Sequence, residues 1–446
     1  MTTTFAEFVE ATATGFGIPG LAAGVLTGDT ETFACHGVTS LDNPLPVTPD
    51  TLYPVASVSK THTATAILRL AEQGRLDLAD PVRRHLPELR LADERAAATM
   101  TVRHLLNHTS GLDTHLLLDT GEGADALREY VARLPEIELI APVGARASYS
   151  QAGYNLLGRI IERVTGETFE RAMAGLVLEP AGLTTSCYAR NDAMTRRFAV
   201  GHNRGPDGTL TIARNWKDFR ADNPGGGLVS SVSELLRWAR YHLGDAALGR
   251  MRKRTVDLRG SSLGDGLGLG WFLRGINGVR AVGHGGSGDG QFAELLLVPE
   301  RDFAVVSLSN AGPDGIPANQ AIVRWALEHH LGLLDRDPEP LPHDQTRAGE
   351  ITGRYDSGAM TLTISATGPR LRLEVLLKPD LRARLGVTIP DHEPFDLGLL
   401  PADEYILTSG AFTGQRGCFS RDAAGRVTGV DLGGRLFSRE NVGDPA

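Results

Sequence analysis

Ser57 and Lys60 lie three residues apart in the stretch PVASVSKTHTATAILRLAEQG, residues 54–74. Lys60 is the only lysine among the first 216 residues, which otherwise use arginine for positive charge. Arginine keeps its proton at working pH, whereas a desolvated lysine can lose its proton and act as a base. We therefore interpret Ser57 as a nucleophile activated by Lys60, which is the chemistry of acyl transfer through a covalent acyl-serine.

A helix would bring these two side chains together. Apolar residues recur at helical spacing from residue 64 to residue 71 and Gly74 ends the pattern, so the sequence predicts a helix over residues 57–73. Residues three apart share a helix face, which puts the Lys60 amine within reach of the Ser57 hydroxyl. Because this spacing is common, a serine N-cap followed by a solvent-facing lysine is the structural alternative.

Six further blocks follow in order along the chain: TMTVRHLLNHTSGLD (99–113), ASYSQAGYNLLGRIIERVTG (147–166), EPAGLTTS (179–186), NPGGGLVSSVSELLRWA (223–239), GLGLGW (266–271) and GHGGSGDG (283–290). With these blocks, about the first 330 residues resemble the serine β-lactamase and penicillin-binding-protein superfamily. The resemblance is to its class C-like branch of esterases, D-aminopeptidases and transacylases.

The resemblance implies roles for the matching residues. Ser57 corresponds to the acylated nucleophile and Lys60 to its base. Tyr149, in the YSQ triplet, corresponds to the tyrosine that relays a proton to and from the leaving group. No metal or organic cofactor is implied, and the sequence contains no metal-binding spacing of histidines or cysteines.

The HGG triplet corresponds to the family's third motif, on the strand that lines the cleft. His284 opens it, and Gly285 and Gly286 are expected to contact the substrate. The resemblance assigns the oxyanion hole to the backbone N–H groups of Ser57 and Ser287. Gly283, Gly285 and Gly288 also fit the dinucleotide-binding pattern G-x-G-x-x-G, but the strand-like QFAELLLV follows them instead of a helix, which excludes a nucleotide cofactor.

The second motif departs from the family, in which it usually reads Tyr-x-Asn. Gln151 holds the third place, so the amide group reaches one methylene further. This length argues against the usual hydrogen bonds from that amide to a substrate amide and to Lys60, and against β-lactam binding. Asn155 is an alternative partner, although we expect it to cap or pack within its own helix.

The pattern of elements predicts an α+β fold, and the resemblance implies a β-lactamase/transpeptidase-like catalytic domain over residues 1–334. Hairpins at residues 20–37 and 291–310 predict one antiparallel sheet built from both ends of this domain, with the helices of the middle segment inserted between them. We expect a proline-rich linker at residues 335–346. Residues 347–446 alternate like a small antiparallel β barrel or sandwich, and the resemblance favours a lipocalin-like barrel.

Charge and hydropathy restrict the partners. The net charge of −9 excludes a typical nucleic-acid-binding surface. No segment approaches the roughly 20 apolar residues that span a bilayer. Glu7 and Glu10 stand where an export signal would be basic, so we expect a cytoplasmic protein without membrane or nucleic-acid partners.

These features favour a serine acyltransferase or hydrolase acting on a peptidyl ester, thioester or amide. The specific hypothesis is a penicillin-binding-protein-type thioesterase that releases and macrocyclises a nonribosomal peptide delivered by a carrier protein, since the resemblance includes such enzymes with lipocalin-like tails. The alternatives are a D-aminopeptidase or carboxylesterase of the same superfamily, and a non-catalytic binding protein that retains the fold.

Overall fold

The computed structural model describes residues 3–113, 118–205, 207–216, 219–385 and 393–440. The first part of the chain contains the strands β1 Gly20–Thr27, β2 Thr30–Gly37, β3 Tyr53–Pro54, β4 His202–Arg204, β5 Leu210–Ile212, β6 Val229–Ser230, β7 Val256–Ser261, β8 Gly264–Leu267, β9 Phe272–Ile276, β10 Val279–Gly288, β11 Gln291–Val298, β12 Phe303–Ser309 and β13 Ala311–Gly312.

Eight of these strands form one antiparallel sheet in the order β2-β1-β12-β11-β10-β9-β8-β7. The sheet therefore joins the start of the chain to residues that follow the helical middle. This arrangement confirms the predicted α+β fold class. The short strands form two small sheets, β13-β4-β5 and β3-β6.

Helices cover the sheet and fill the middle of the chain. They are α1 Phe5–Phe16, α2 Ser59–Glu72, α3 Val82–His85, α4 Glu94–Thr99, α5 Val102–Leu106, α6 Ala126–Ala132, α7 Gln151–Thr165, α8 Phe169–Met173, α9 Arg190–Met194, α10 Asn223–Gly226, α11 Val232–Gly244, α12 Gly315–Leu331, α13 Gln345–Ile351 and α14 Pro379–Leu385. Among the described residues, none of these helices combines the length and apolar character needed to cross a bilayer.

Both faces of the sheet are buried. In β11, Leu296 and Val298 pack toward α1 and α12, whereas Leu295 and Leu297 belong to the larger core shared with α2, α7 and α11. Successive side chains of a strand point to opposite faces, so a strand that is covered on both sides needs apolar residues at every position. The apolar run LLLV in β11 meets this requirement.

A closed barrel of eight antiparallel strands follows residues 332–344, which contain no helix or strand. Its strands, in chain order around the barrel, are β14 Gly353–Asp356, β15 Met360–Thr367, β16 Arg370–Leu377, β17 Phe395–Leu399, β18 Glu404–Leu407, β19 Arg416–Arg421, β20 Val427–Leu432 and β21 Arg435–Arg439. Tyr355, Leu373 and Phe437 are among its buried core residues.

The barrel docks against the edge of the large sheet. An added Cβ at Gly260 of β7 would lie 2.7 Å from the carbonyl oxygen of Gly417 in β19, so the two backbones approach closely there. The Ser262 hydroxyl and the Gln415 side chain form a hydrogen bond across the same junction. The turn between β20 and β21 extends from the barrel toward the helical part of the chain.

Candidate active site

Ser57 lies in a short 3-10 turn, Ala56–Val58, directly before α2. Ala56 has a left-handed backbone with φ of 44°, which is unfavourable for alanine and persists only where the surroundings fix it. The Ser59 hydroxyl fixes the turn by donating to the Ala56 carbonyl at 2.6 Å and accepting from the Leu228 N–H at 2.9 Å. The turn leaves Ser57 partly exposed between two buried neighbours.

Lys60 is fully buried at the bottom of this turn. Its Nζ lies 3.3 Å from Ser57 Oγ, 2.8 Å from Gln151 Oε1 and 2.7 Å from the Gly225 carbonyl oxygen. A neutral amine has two N–H bonds and one lone pair. The two carbonyl oxygens can accept the N–H bonds, which directs the lone pair at the Ser57 hydroxyl.

Gln151 reaches Lys60, so the expectation that its extra methylene would break this bond is wrong. Its Nε2 donates to Asn155 Oδ1 at 3.0 Å and to the Asp222 carbonyl at 3.2 Å. Asn155 Nδ2 in turn donates to Asp222 Oδ1 at 2.8 Å. Asn155 therefore connects Gln151 to a buried aspartate, and Ser150 caps the helix in its place.

Tyr149 stands over Lys60, with Nζ 4.8 Å from the centroid of its ring. Burial raises the pKa of its phenol to about 12, although Ser57 and the positive charge of Arg435 oppose the rise. The hydroxyl is buried, and none of the described groups meets it with full hydrogen-bond geometry. The phenol is therefore protonated at neutral pH and can donate its proton to a leaving group.

Two neutral histidines flank the tyrosine. Burial lowers the pKa of His284 to about 3 and lowers that of His108 well below its ordinary value, and Lys60 adds to both shifts whenever it carries a proton. The His284 Nδ1 lies 2.6 Å from the Gly285 carbonyl oxygen, which fixes the proton on Nδ1. Its buried Nε2 then faces the site as an acceptor, without a partner among the described residues.

His108 follows the C-terminal end of α5. Its ring centroid lies 4.6 Å from that of Tyr149, and its Nδ1 accepts a hydrogen bond from the Ser150 N–H at 3.1 Å. This imidazole supports both the tyrosine ring and the first turn of α7. The left-handed backbone of His108, with φ of 58°, is consistent with a position fixed by these contacts.

Strand β10 forms one wall of the site. Its pairing with β9 ends at Gly283, so from His284 onward one edge of the strand is not covered by β9. An added Cβ at Gly286 would lie 2.1 Å from the Val55 carbonyl oxygen and 3.3 Å from the Ser57 nitrogen, which places this strand directly beside the nucleophile turn. Ser287 follows on the same strand and is exposed. The oxyanion-hole roles of Ser57 and Ser287 remain predictions.

The barrel contributes a residue that the sequence did not indicate. Arg435 lies at the start of β21, and its guanidinium carbon is 4.9 Å from the centroid of the Tyr149 ring. Its Nε is buried. The preceding pair Gly433 and Gly434 signals a tight turn, since both have positive φ, but the sequence alone does not show what the turn contacts.

The structure therefore brings Ser57, Lys60, Tyr149, Gln151 and His284 to one site. Within the ranges that the structure describes, no group of three or more histidine, cysteine or acidic residues is arranged to hold a metal ion.

Comparisons with known proteins agree with this architecture. The crystal structure of SurE with D-Leu superposes with a TM-score of 0.73 at 25% identity and covers 98% of each chain, so the likeness includes the barrel. Protein flp of Staphylococcus aureus is 25% identical over 289 residues, which are 63% of this chain and 57% of flp.

Penicillin-binding protein 4 of Amycolatopsis lactamdurans is 32% identical over 323 residues, which are 69% of this chain and 84% of the relative. The family model described as Beta-lactamase matches residues 5–346. A match of this extent shows that the chain belongs to the β-lactamase family, whose members are serine hydrolases.

Proposed function

We propose that Ser57 is the nucleophile of an acyl-transfer reaction and that Lys60 is its base. The observation that carries this proposal is the set of three contacts made by the Lys60 amine. Two carbonyl oxygens, at 2.8 and 2.7 Å, can accept hydrogen bonds from it, and Ser57 Oγ lies 3.3 Å from the same nitrogen. This is the arrangement that proton transfer from serine to lysine requires.

Acylation then proceeds in two proton transfers. Lys60 takes the hydroxyl proton as Ser57 Oγ attacks the substrate carbonyl, and backbone N–H groups of Ser57 and Ser287 stabilise the oxyanion. Tyr149 gives its proton to the leaving group as the bond to that group breaks. In the second half, water or an amine attacks the acyl group and returns a proton to Tyr149, while Lys60 returns its proton to Ser57.

The substrate proposed for this site is a peptidyl thioester, ester or amide with a D-residue near the scissile bond, presented by a carrier protein. SurE, whose crystal structure contains D-Leu, matches both parts of this chain. Beside Tyr149, Leu267 and Phe272 form an apolar cluster with Leu263 at its margin, which suits an apolar substrate side chain. Release with macrocyclisation is the preferred outcome, in which the amine of the same peptide removes the acyl group.

The test uses a linear peptidyl thioester mimic that ends in a D-residue. We expect a product lighter than the substrate by the mass of the thiol, and a Ser57→Ala variant that forms none. Lys60→Arg is the matched test of the base, because a guanidinium keeps a long basic side chain but stays protonated and cannot accept the serine proton. Intact-protein mass spectrometry should detect the acyl group on wild-type Ser57.

Each other outcome identifies a different function. A linear acid as the only product would indicate a hydrolase such as an esterase or D-aminopeptidase. Unchanged thioester would contradict the proposed substrate. Failure of a fluorophosphonate to label Ser57 at any pH from about 6 to 9, the range in which such bases operate, would favour a non-catalytic binding protein.

A further inference from the structure

We propose that Gly225, Asn155 and Asp222 are positioning residues for Lys60 and act on it through Gln151. This inference rests on the proposed role of Lys60 as the base. It explains how the chain uses a glutamine where the related sequences usually have asparagine. Three features of the site support it: the space around Gln151, the direction of its amide and the use of both its N–H bonds within the protein.

The first feature is that Gly225 provides the space for the longer side chain. An added Cβ at Gly225 would lie 2.2 Å from Gln151 Nε2 and 2.4 Å from Gln151 Oε1, far inside van der Waals contact. The backbone of Gly225 is not in the left-handed region, so space and not conformation requires glycine here. Gly226, the next residue, would meet nothing within 4 Å.

The second feature is that Asp222 fixes the direction of two amides. Asp222 Oδ1 accepts a hydrogen bond of 2.8 Å from the NH₂ group of Asn155, which is the group of that amide able to donate to a carboxylate oxygen. Asn155 then turns its oxygen toward Gln151 and selects the NH₂ group of that residue, at 3.0 Å. Gln151 is left with its oxygen facing Lys60, where an acceptor is needed.

The third feature is that Gln151 faces inward. Its NH₂ group has two hydrogens, which Asn155 Oδ1 and the Asp222 carbonyl accept at 3.0 and 3.2 Å. Its oxygen accepts from Lys60. Gln151 therefore positions the base and has no N–H left for a substrate carbonyl, so its replacement should change the rate of acylation more than the affinity for an acylating reagent.

The experiment measures the labelling of Ser57 by a fluorophosphonate as a function of probe concentration. Gly225→Ala should lower the maximal labelling rate roughly tenfold or more, with the half-saturating probe concentration changed by less than about twofold. Gly226→Ala is the matched control and should label at the wild-type rate.

The double variant decides between a specific coupling and general damage. Gln151→Asn withdraws the amide by one carbon–carbon bond, about 1.5 Å, and leaves room for a methyl group at residue 225. Gly225→Ala should therefore cost at most about twofold when it is added to Gln151→Asn. An equal loss in both backgrounds would overturn the inference, as would a loss that appears only in the half-saturating concentration.

Asp222→Asn tests the polarity argument without adding bulk. The new side-chain amide can donate to Asn155, which allows the amides of Asn155 and Gln151 to flip and to turn an NH₂ group toward Lys60. This should lower the maximal labelling rate roughly tenfold. A wild-type rate in this variant would contradict the second feature. If wild-type Ser57 is not labelled at all, the proposed function fails; if it is labelled but the coupling is absent, only this inference fails.

Discussion

The backbone N–H of Tyr149 donates a hydrogen bond of 2.7 Å to the carbonyl oxygen of Gly434. Tyr149 belongs to the candidate active site and Gly434 to the turn between two barrel strands, so this bond joins the two parts of the chain at the site itself. The Leu436 N–H adds a second link to the Ser148 hydroxyl at 3.4 Å. The barrel therefore supports the residue proposed to protonate the leaving group.

Replacement of Arg435 by methionine should slow acylation. The guanidinium lies over the Tyr149 ring and its charge lowers the pKa of the phenol, in opposition to burial. Without that charge the phenol becomes a weaker acid and donates its proton less readily, so we expect roughly tenfold slower acylation by an amide or alkyl ester. Stopped-flow measurement of acyl-enzyme formation would check this.

A matched control separates this effect from a general disturbance of the barrel. Arg370→Met replaces an exposed arginine of β16 and should acylate at the wild-type rate. Equal rates for the Arg435 variant and the wild type would show that the stacked guanidinium has no influence on the reaction.

Removal of the Tyr149 hydroxyl should make the rate depend on the leaving group. With Tyr149→Phe we expect a loss of roughly 10²–10⁴-fold for an amide, whose nitrogen must be protonated as it leaves. A p-nitrophenyl ester has a leaving group that departs without a proton, so its acylation should fall much less. Acylation rates for both substrates would test this, and equal losses would argue against Tyr149 as the acid.

The local part of this site was accessible from the sequence. Helical spacing after Ser57 predicted that Lys60 would lie on the same face, and the structure places the two polar atoms 3.3 Å apart. The structure begins the predicted helix with a 3-10 turn, because the Ser59 hydroxyl bonds back to Ala56. A bond from a side chain to the backbone of this kind does not alter apolar periodicity, so the pattern could not show it.

The missed features depend on contacts between distant segments. Whether Gln151 reaches Lys60 is decided by the empty space at Gly225, which lies on another helix. The position of Arg435 over Tyr149 depends on how the barrel docks against the sheet. Propensity and periodicity describe neighbours in sequence, and neither can specify such pairings.

Gly286→Ala should disrupt the site although the glycine carries no functional group. A methyl group there would lie 2.1 Å from the Val55 carbonyl oxygen, so β10 would have to move away from the nucleophile turn. Because the proposed oxyanion donors, the N–H groups of Ser57 and Ser287, depend on that approach, we expect a loss of roughly 10²-fold or more in acylation. At Gly288, on the same strand, the nearest atom would be 3.8 Å away.

Gly288→Ala is therefore the control for this prediction and should retain most of the activity. Fluorophosphonate labelling rates and thermal midpoints of both variants would show whether the loss is local to the site. Equal labelling of the two variants would refute the close approach of β10 to the nucleophile turn.

The stability of the protein should depend on the ionisation of Asp431 near neutral pH. Asp431 is buried in β20, and its Oδ1 accepts a hydrogen bond from the Gly434 N–H at 3.2 Å. Burial raises the pKa of this carboxyl from 3.8 to about 7, against the opposing influence of Arg146 and Arg435. At any pH between these two pKa values, the folded state therefore keeps a proton on Asp431 that the unfolded state has released.

It follows that this group makes the protein progressively less stable as the pH rises from about 4 to 7, with the full penalty present above pH 7. Asp431→Asn keeps the oxygen acceptor but does not titrate. Its free energy of unfolding relative to wild type should rise by about 2 kcal/mol between pH 5 and pH 8, as measured by urea denaturation.

Asp422→Asn is the control, because a lowered pKa keeps that half-buried barrel carboxylate ionised at both pH values, so the effect of the substitution should not change between them. A constant difference between Asp431→Asn and wild type at pH 5 and pH 8 would mean that Asp431 ionises normally in the folded barrel. In that case Asp431 would be a carboxylate at both pH values, and it would accept the Gly434 hydrogen bond in the same form at each. The turn that places Arg435 over Tyr149 would then be unchanged, so the ionisation of Asp431 should not affect the rate of acylation.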